Sequence, residues 1–108
     1  MLADIGPMIR DRSFDKHNHY MTVPGLLRHA EMGDVAGLVA PRPQLICHGG
    51  ADALTPEPAR SHALTRVRAA YAGSDALELF TAPDAGHEET PDMRRRVLDF
   101  LSRTIGTG

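Results

Sequence analysis

Residues 44–52 read QLICHGGAD and residues 76–87 read ALELFTAPDAGH, and the fold class can be predicted from these two stretches. Each begins with a short apolar run suited to a buried strand and continues into a polar loop. A segment with apolar residues at helical spacing follows each loop, and it opens with the Thr-Pro pair typical of a helix N-terminus. The order strand, helix, strand, helix predicts an α/β fold with two parallel strands.

The rest of the chain divides at Pro24. Residues 1–23 are dominated by a polar stretch and are predicted to form loop or a poorly supported edge. From Pro24 a helix is predicted that closes at Gly33, followed by a short helical turn with Asp34 as its N-cap. We interpret residues 1–108 as a single partial domain in which residues 24–105 carry the βα units.

The composition excludes several classes of protein. Hydrophobic residues make up 42% and charged residues 24% of the chain, as in ordinary globular proteins, and the net charge of -2 favours neither nucleic acid nor an anionic membrane as a partner. Cys47 is the only cysteine, so an internal disulfide and a cysteine-rich zinc site are excluded, and a buried, inert thiol is expected. No apolar run is long enough to cross a bilayer. Localisation stays open, because a lone cysteine fits the cytoplasm without requiring it and a signal peptide would lie upstream.

Asp52 and His87 are the candidate catalytic residues. Each follows one of the two predicted strands, and the carboxyl ends of adjacent parallel strands meet at one edge of a sheet. An aspartate that accepts a hydrogen bond from histidine Nδ1–H fixes the tautomer of the ring and stabilises the imidazolium formed during acyl transfer. The alternative is that both are turn residues, because aspartate is common in turns for structural reasons. The pattern alone leaves both interpretations open.

Two segments carry a family resemblance, APRPQLICHGGADALTP at 40–56 and APDAGHEETPDMRRRVLDFL at 82–101. They resemble the C-terminal part of α/β-hydrolases, in the branch of dienelactone-hydrolase-like and acetyl xylan esterase-like proteins. The resemblance extends over about residues 24–105. It implies an incomplete α/β-hydrolase sheet, with Asp52 as the acid and His87 as the histidine of a catalytic triad. It also implies hydrolysis of a small ester, or of an acetylated carbohydrate, without a metal or organic cofactor.

The chain departs from that family in lacking the nucleophile. In the family a serine lies in a G-x-S-x-G turn upstream of the aspartate, and it is accompanied by the oxyanion-hole donors. None of the four serines lies in such a setting, namely Ser13, Ser61, Ser74 and Ser102. We therefore expect the isolated chain to hydrolyse esters at the background rate. The alternative is a non-catalytic remnant that acts as a binding or dimerisation module through an exposed sheet edge.

Two further clusters have structural interpretations. His17 and His19 suggest a metal site, but no third ligand is identified, so an exposed loop pair is the favoured interpretation. The run Arg94 to Arg96 is interpreted as a solvated helix face rather than a nucleic-acid site. Glu88 and Glu89 are interpreted as helix-start residues, favourable near the positive end of the helix dipole.

Overall fold

The computed structural model describes residues 2–17, 20 and 22–106. The helices are α1 (Ile5–Arg10), α2 (Met32–Gly37), α3 (Glu57–Ala70) and α4 (Pro91–Ile105), and the strands are β1 (Gln44–Gly49) and β2 (Leu77–Ala82). Between α1 and α2, 3-10 turns form at Ser13–Lys16 and Leu26–Arg28. The predicted alternation β1, α3, β2, α4 is confirmed, and the protein belongs to the α/β class.

The two strands lie parallel and side by side. Gln44 is paired with Leu77 and Gly49 with Ala82, so both strands end at the same edge of the sheet. The ladder extends one residue further, because the Gly50 N–H donates to the carbonyl oxygen of Ala82 at 2.8 Å. In the part of the chain that the structure describes, the sheet has these two strands and both of its outer edges are unpaired.

Helix α3 packs against both α1 and α2. Ala59, Ala63 and Val67 are fully buried along one side of it, at the spacing that predicted an amphipathic helix. Helix α2 packs closely on this side because Gly33 has no side chain: a Cβ there would lie 2.8 Å from the Cα of Ala63.

The segment before β1 differs from the prediction. The helix expected from Pro24 to Gly33 is reduced to the turn Leu26–Arg28, and Gly33 lies inside α2 rather than at the end of a helix. Asp34 does not form the N-cap but the third helical position, where its side chain accepts from the N–H of Glu31 at 2.9 Å. Glu31 and Asp34 therefore form a reciprocal capping box, which starts α2 earlier than a cap at Asp34 allows.

Residues 1–23 were predicted as loop or edge, and for residues 5–10 this is wrong. Helix α1 packs on α3, and Ala3, Ile5 and Met8 form an apolar cluster with Ala59. The Glu31 carboxylate accepts from the N–H groups of Ile5 and Gly6, both at 2.8 Å. The cap of α1 thus comes from a residue 26 positions from Ile5, which local sequence patterns do not reveal.

Helix α4 begins as predicted, with Thr90 as N-cap accepting from the N–H of Met93 at 3.2 Å. In α3, Pro56 rather than Thr55 occupies the N-cap position, because Thr55 is buried and its N–H donates to the carbonyl of Asp52.

Among the described residues, no helix is both long and apolar enough to cross a membrane.

Candidate active site

The site lies where two loops meet at the carboxyl ends of the strands. The β1–α3 loop comprises residues 50–56, and the β2–α4 loop comprises residues 83–90. Their backbones are in direct contact, since the Ala51 N–H donates to the carbonyl of Ala85 at 3.0 Å. Gly49 permits this approach, because a Cβ at that position would collide with the carbonyl oxygens of Ala85 and Gly86. The contact fixes the distance between the ionisable residues of the two loops.

Asp52 and His87, the two residues predicted from sequence, are brought together. The distance between His87 Nδ1 and Asp52 Oδ2 is 2.9 Å. The other carboxylate oxygen of Asp52 accepts from the N–H of Leu54, also at 2.9 Å. The Asp52 side chain is 7% exposed, whereas that of His87 is 55% exposed. The buried Asp52 carboxylate therefore binds the Nδ1 side of the His87 ring, and much of the ring remains exposed.

The electrostatics keep the acid ionised. Burial acts to raise the pKa of Asp52, but hydrogen bonds from His87 and from the Leu54 N–H act against it, and the pKa lies below its ordinary value. An ionised carboxylate is an acceptor only, so the shared proton belongs to His87 Nδ1. In the neutral ring Nε2 then carries the lone pair, and no described residue forms a hydrogen bond with it. Such a ring can accept a proton at Nε2.

A cavity of about 260 Å³ opens beside the pair. Its lining includes Cys47, Thr55, Glu88 and Met93 as well as the pair itself. A larger groove of about 590 Å³ lies between β2 and α4, but its wall includes Glu78 and Arg103, which pair with each other at 3.0 Å. Those charges already satisfy one another, so we place the site at the smaller cavity.

The neighbouring residues do not supply a nucleophile. Cys47 lies within β1 and is half-buried, and burial raises the pKa of its thiol, which therefore stays protonated at neutral pH. Burial and the charge of Arg60 lower the pKa of His48, whose Nε2 lies 2.9 Å from the hydroxyl of Thr81. Both residues are expected to be neutral and structural.

The glutamates that follow His87 are exposed. Glu89 accepts from Arg94 at 2.8 and 3.0 Å, and neither Glu88 nor Glu89 forms a hydrogen bond with His87 in the described structure. The arginines of α4 are exposed, and Arg96 in addition lies over the ring of Phe80, 4.6 Å from its centroid.

The histidine pair near the N-terminus gives no metal site that can be described. His19 lies outside the described residues, and His17 Nε2 lies 2.7 Å from the carbonyl oxygen of Leu54. No group of three histidine, cysteine, aspartate or glutamate residues within the described ranges is arranged to hold a metal.

Arg60 is the residue of this region that the sequence reasoning missed. It is 7% exposed, and its guanidinium donates to the carbonyls of Gly49 at 3.0 Å and Thr55 at 3.1 Å. A signal was present: Arg60 lies three positions before Ala63 and seven before Val67, on the apolar side of α3. A charge at such a position needs buried partners.

No protein-family model matches the chain, and no solved structure matches it. Over 100 residues, which make up 91% of the chain, it is 32% identical to a protein of Bacillus subtilis (strain 168) named "Putative hydrolase YtaP". The aligned part is 33% of that protein, so the chain spans about a third of the length of this relative. The chain is thus similar to part of a protein named as a hydrolase.

Proposed function

We propose that this chain is the C-terminal part of a serine-type carboxylic ester hydrolase and supplies the acid and the histidine of its catalytic triad. The observation that carries the proposal is the 2.9 Å contact between the buried Asp52 carboxylate and the exposed His87 ring. Their position at the carboxyl ends of parallel strands, where α/β proteins bind ligands, supports it. So does the similarity to a relative named as a hydrolase.

In the proposed reaction a serine hydroxyl attacks the ester carbonyl, and His87 Nε2 takes the hydroxyl proton. The resulting imidazolium is stabilised by Asp52, and it then protonates the departing alkoxide as the acyl-enzyme forms. Water, deprotonated by the same nitrogen, attacks the acyl-enzyme, and the imidazolium returns that proton to the serine oxygen as the bond to serine breaks and the carboxylic acid is released. The serine and the oxyanion-hole donors belong, in this proposal, to polypeptide outside residues 1–108. The scheme uses no metal and no organic cofactor.

The substrate class that we propose is a small ester or an acetylated carbohydrate. This part of the proposal rests on the family resemblance of residues 40–56 and 82–101. Suitable probes are p-nitrophenyl acetate for a small ester and an acetylated oligosaccharide for a carbohydrate. A protein that turns over the first but not the second would restrict the proposal to small esters.

The isolated 108-residue chain is expected to hydrolyse p-nitrophenyl acetate at the background rate. The reason is that His87 has no activated nucleophile to deprotonate, and a triad without its nucleophile retains only what an oxyanion hole provides. The rate of the purified chain is compared with that of buffer containing free imidazole. A rate of ester hydrolysis above that of free imidazole that disappears on both Asp52→Asn and His87→Ala in this chain would contradict this expectation.

The decisive experiment uses a longer product of the same reading frame that contains G-x-S-x-G. In that protein His87→Ala and Asp52→Asn are each expected to lower kcat for p-nitrophenyl acetate by about 10³-fold or more. The matched controls are Asp84→Asn, an exposed carboxylate in the β2–α4 loop, and His62→Ala, an exposed histidine on α3. Both controls are expected to stay within about twofold of the parent. Full activity of the His87→Ala variant would overturn the proposal.

A second candidate function is a non-catalytic module that binds a second copy or another protein. The observation that favours it is exposed apolar surface on α4, where Leu98 is 60% and Ile105 is 78% exposed, together with the unpaired edges of the sheet. The upstream coding sequence distinguishes the two functions. A frame without a nucleophile elbow favours the module, whereas a frame with one favours the hydrolase.

A further inference from the structure

Arg60 combines deep burial with an unusual set of partners. It forms no ion pair with any described carboxylate, although only 7% of the residue is exposed. Its Nη1 donates to the carbonyls of Gly49 and Thr55, and its Nη2 donates to the carbonyl of Gly50 at 3.4 Å. A buried cation without a carboxylate is costly unless hydrogen bonds compensate for its lost hydration. Here the compensation comes entirely from backbone carbonyls.

The position of these carbonyls in the chain is informative. Gly49 and Gly50 lie just before Asp52, and Thr55 lies just after it. One side chain therefore ties the beginning of the β1–α3 loop to its end. The planar guanidinium presents several donors in fixed directions, so it can hold carbonyls that lie on two sides of it. A lysine ammonium in the same place would hold fewer of them at once.

We propose that Arg60 is a positioning residue for the Asp52–His87 pair, clamping the β1–α3 loop so that the Asp52 carboxylate faces the ring. The role of Arg60 in catalysis rests on the proposed function, whereas its role in holding the β1–α3 loop does not. Arg60 acts through the loop, since its guanidinium donates to backbone carbonyl oxygens and forms no hydrogen bond with His87 in the described structure. The Leu54 N–H, the second donor to Asp52, belongs to the same clamped loop. Releasing the loop is therefore expected to disturb both hydrogen bonds of the carboxylate.

A purely structural arginine on the same helix provides the matched control. Arg66 of α3 pairs with the buried Asp4 at 2.8 Å and with Asp34 at 3.2 Å. These contacts tie α3 to the segment around α1 and α2 and do not involve the β1–α3 loop. Arg66→Met should lower stability without changing the Asp52–His87 pair.

The test is NMR spectroscopy of the full 108-residue chain and its variants. One readout is the low-field Nδ1–H proton of His87, and the other is the titration of the Asp52 carboxyl carbon. In Arg60→Met we expect the low-field signal to be lost and the pKa of Asp52 to rise toward its ordinary value, because the hydrogen bonds from His87 and the Leu54 N–H, which help to lower that pKa, weaken. Arg60→Lys should retain part of the signal, and Arg66→Met all of it.

The outcomes decide between a clamp and general structural support. A folded Arg60→Met variant with the parent's low-field signal and Asp52 titration would overturn the proposal. If Arg60→Met does not fold, the folded variants among Arg60→Lys and Arg60→Gln are judged by the same two readouts. Unfolding of all three while Arg66→Met stays folded would also overturn it, since Arg60 would then support the whole fold. Neither readout involves ester hydrolysis, so failure of the proposed function would appear only in the kinetics of the His87 and Asp52 variants.

Discussion

Asp52 is the residue whose environment says most about the site. Its carboxylate is buried, yet its pKa is lowered, because hydrogen bonds from His87 and the Leu54 N–H outweigh the effect of burial. A structural turn aspartate explains the bond to the Leu54 N–H, which is the usual interaction of such a residue with its own backbone. It does not explain the second bond, to a histidine 35 residues away.

The lowered pKa of Asp52 links stability to pH. Since the folded-state pKa lies below the ordinary value of 3.8, the unfolded chain binds more protons in the interval between the two. The stabilisation by Asp52 is therefore complete above that ordinary value and is lost as the pH falls through the folded-state pKa. We expect the free energy of unfolding in urea to fall less between pH 7 and pH 3 in Asp52→Asn than in the parent chain. An equal fall in both proteins would contradict the assignment of a lowered pKa to this residue.

Arg60 shows why part of the site escapes sequence analysis. Asp52 and His87 stand out because each follows an apolar run and a glycine, which is a local pattern. Arg60 lies within a helix, near alanines, and its partners are backbone carbonyls. Every residue has a backbone carbonyl, so the sequence does not show which of them Arg60 binds. Only the folded loop shows what the side chain holds.

Among the elements, those defined by their own sequence were predicted and those defined by distant contacts were not. The strands and helices α3 and α4 follow from apolar spacing, and Thr90 caps α4 as expected. Helix α1 is short, lacks a side-chain cap of its own and depends on Glu31. Its apolar residues are buried against α3, so its stability comes from tertiary packing rather than from propensity.

The contact between the two loops gives a prediction at the level of elements. Gly49→Ala is expected to destabilise the fold by about 1–3 kcal/mol, because the new methyl group collides with the backbone of the β2–α4 loop. The matched control is Gly86→Ala, where a Cβ meets no heavy atom within 4 Å. Urea unfolding followed by circular dichroism measures both. Equal stability of the two variants would show that the loops do not approach as closely as the structure has them.

The molecule as a whole exposes strand edges and apolar side chains that are usually covered in a complete α/β domain. Both outer edges of the two-stranded sheet are unpaired within the described residues, and α4 leaves Leu98, Leu101 and Ile105 exposed at 60%, 40% and 78%. Exposed strand edges and apolar helix faces promote association. This is consistent with the proposal that further polypeptide completes the domain.

We expect the isolated chain to associate with itself in a concentration-dependent way. Leu98→Lys should weaken this association, because it places a charge on the exposed apolar side of α4. Leu27→Lys makes the same chemical change at a residue that is 44% exposed in the turn Leu26–Arg28, and it should have less effect. Sedimentation velocity over a range of concentrations measures the association. A monomer that melts cooperatively at all concentrations would contradict the expectation.

We propose that His87, oriented by Asp52, activates a serine that lies outside this chain. The most direct test is the second-order rate at which a fluorophosphonate modifies that serine in the longer product, because the measurement does not depend on knowing the substrate. We expect His87→Ala to lower this rate by about 10³-fold or more and Asp84→Asn to leave it unchanged. Modification of the serine at the parent rate in His87→Ala, or no reactive serine in the natural product, would show that His87 does not activate a serine.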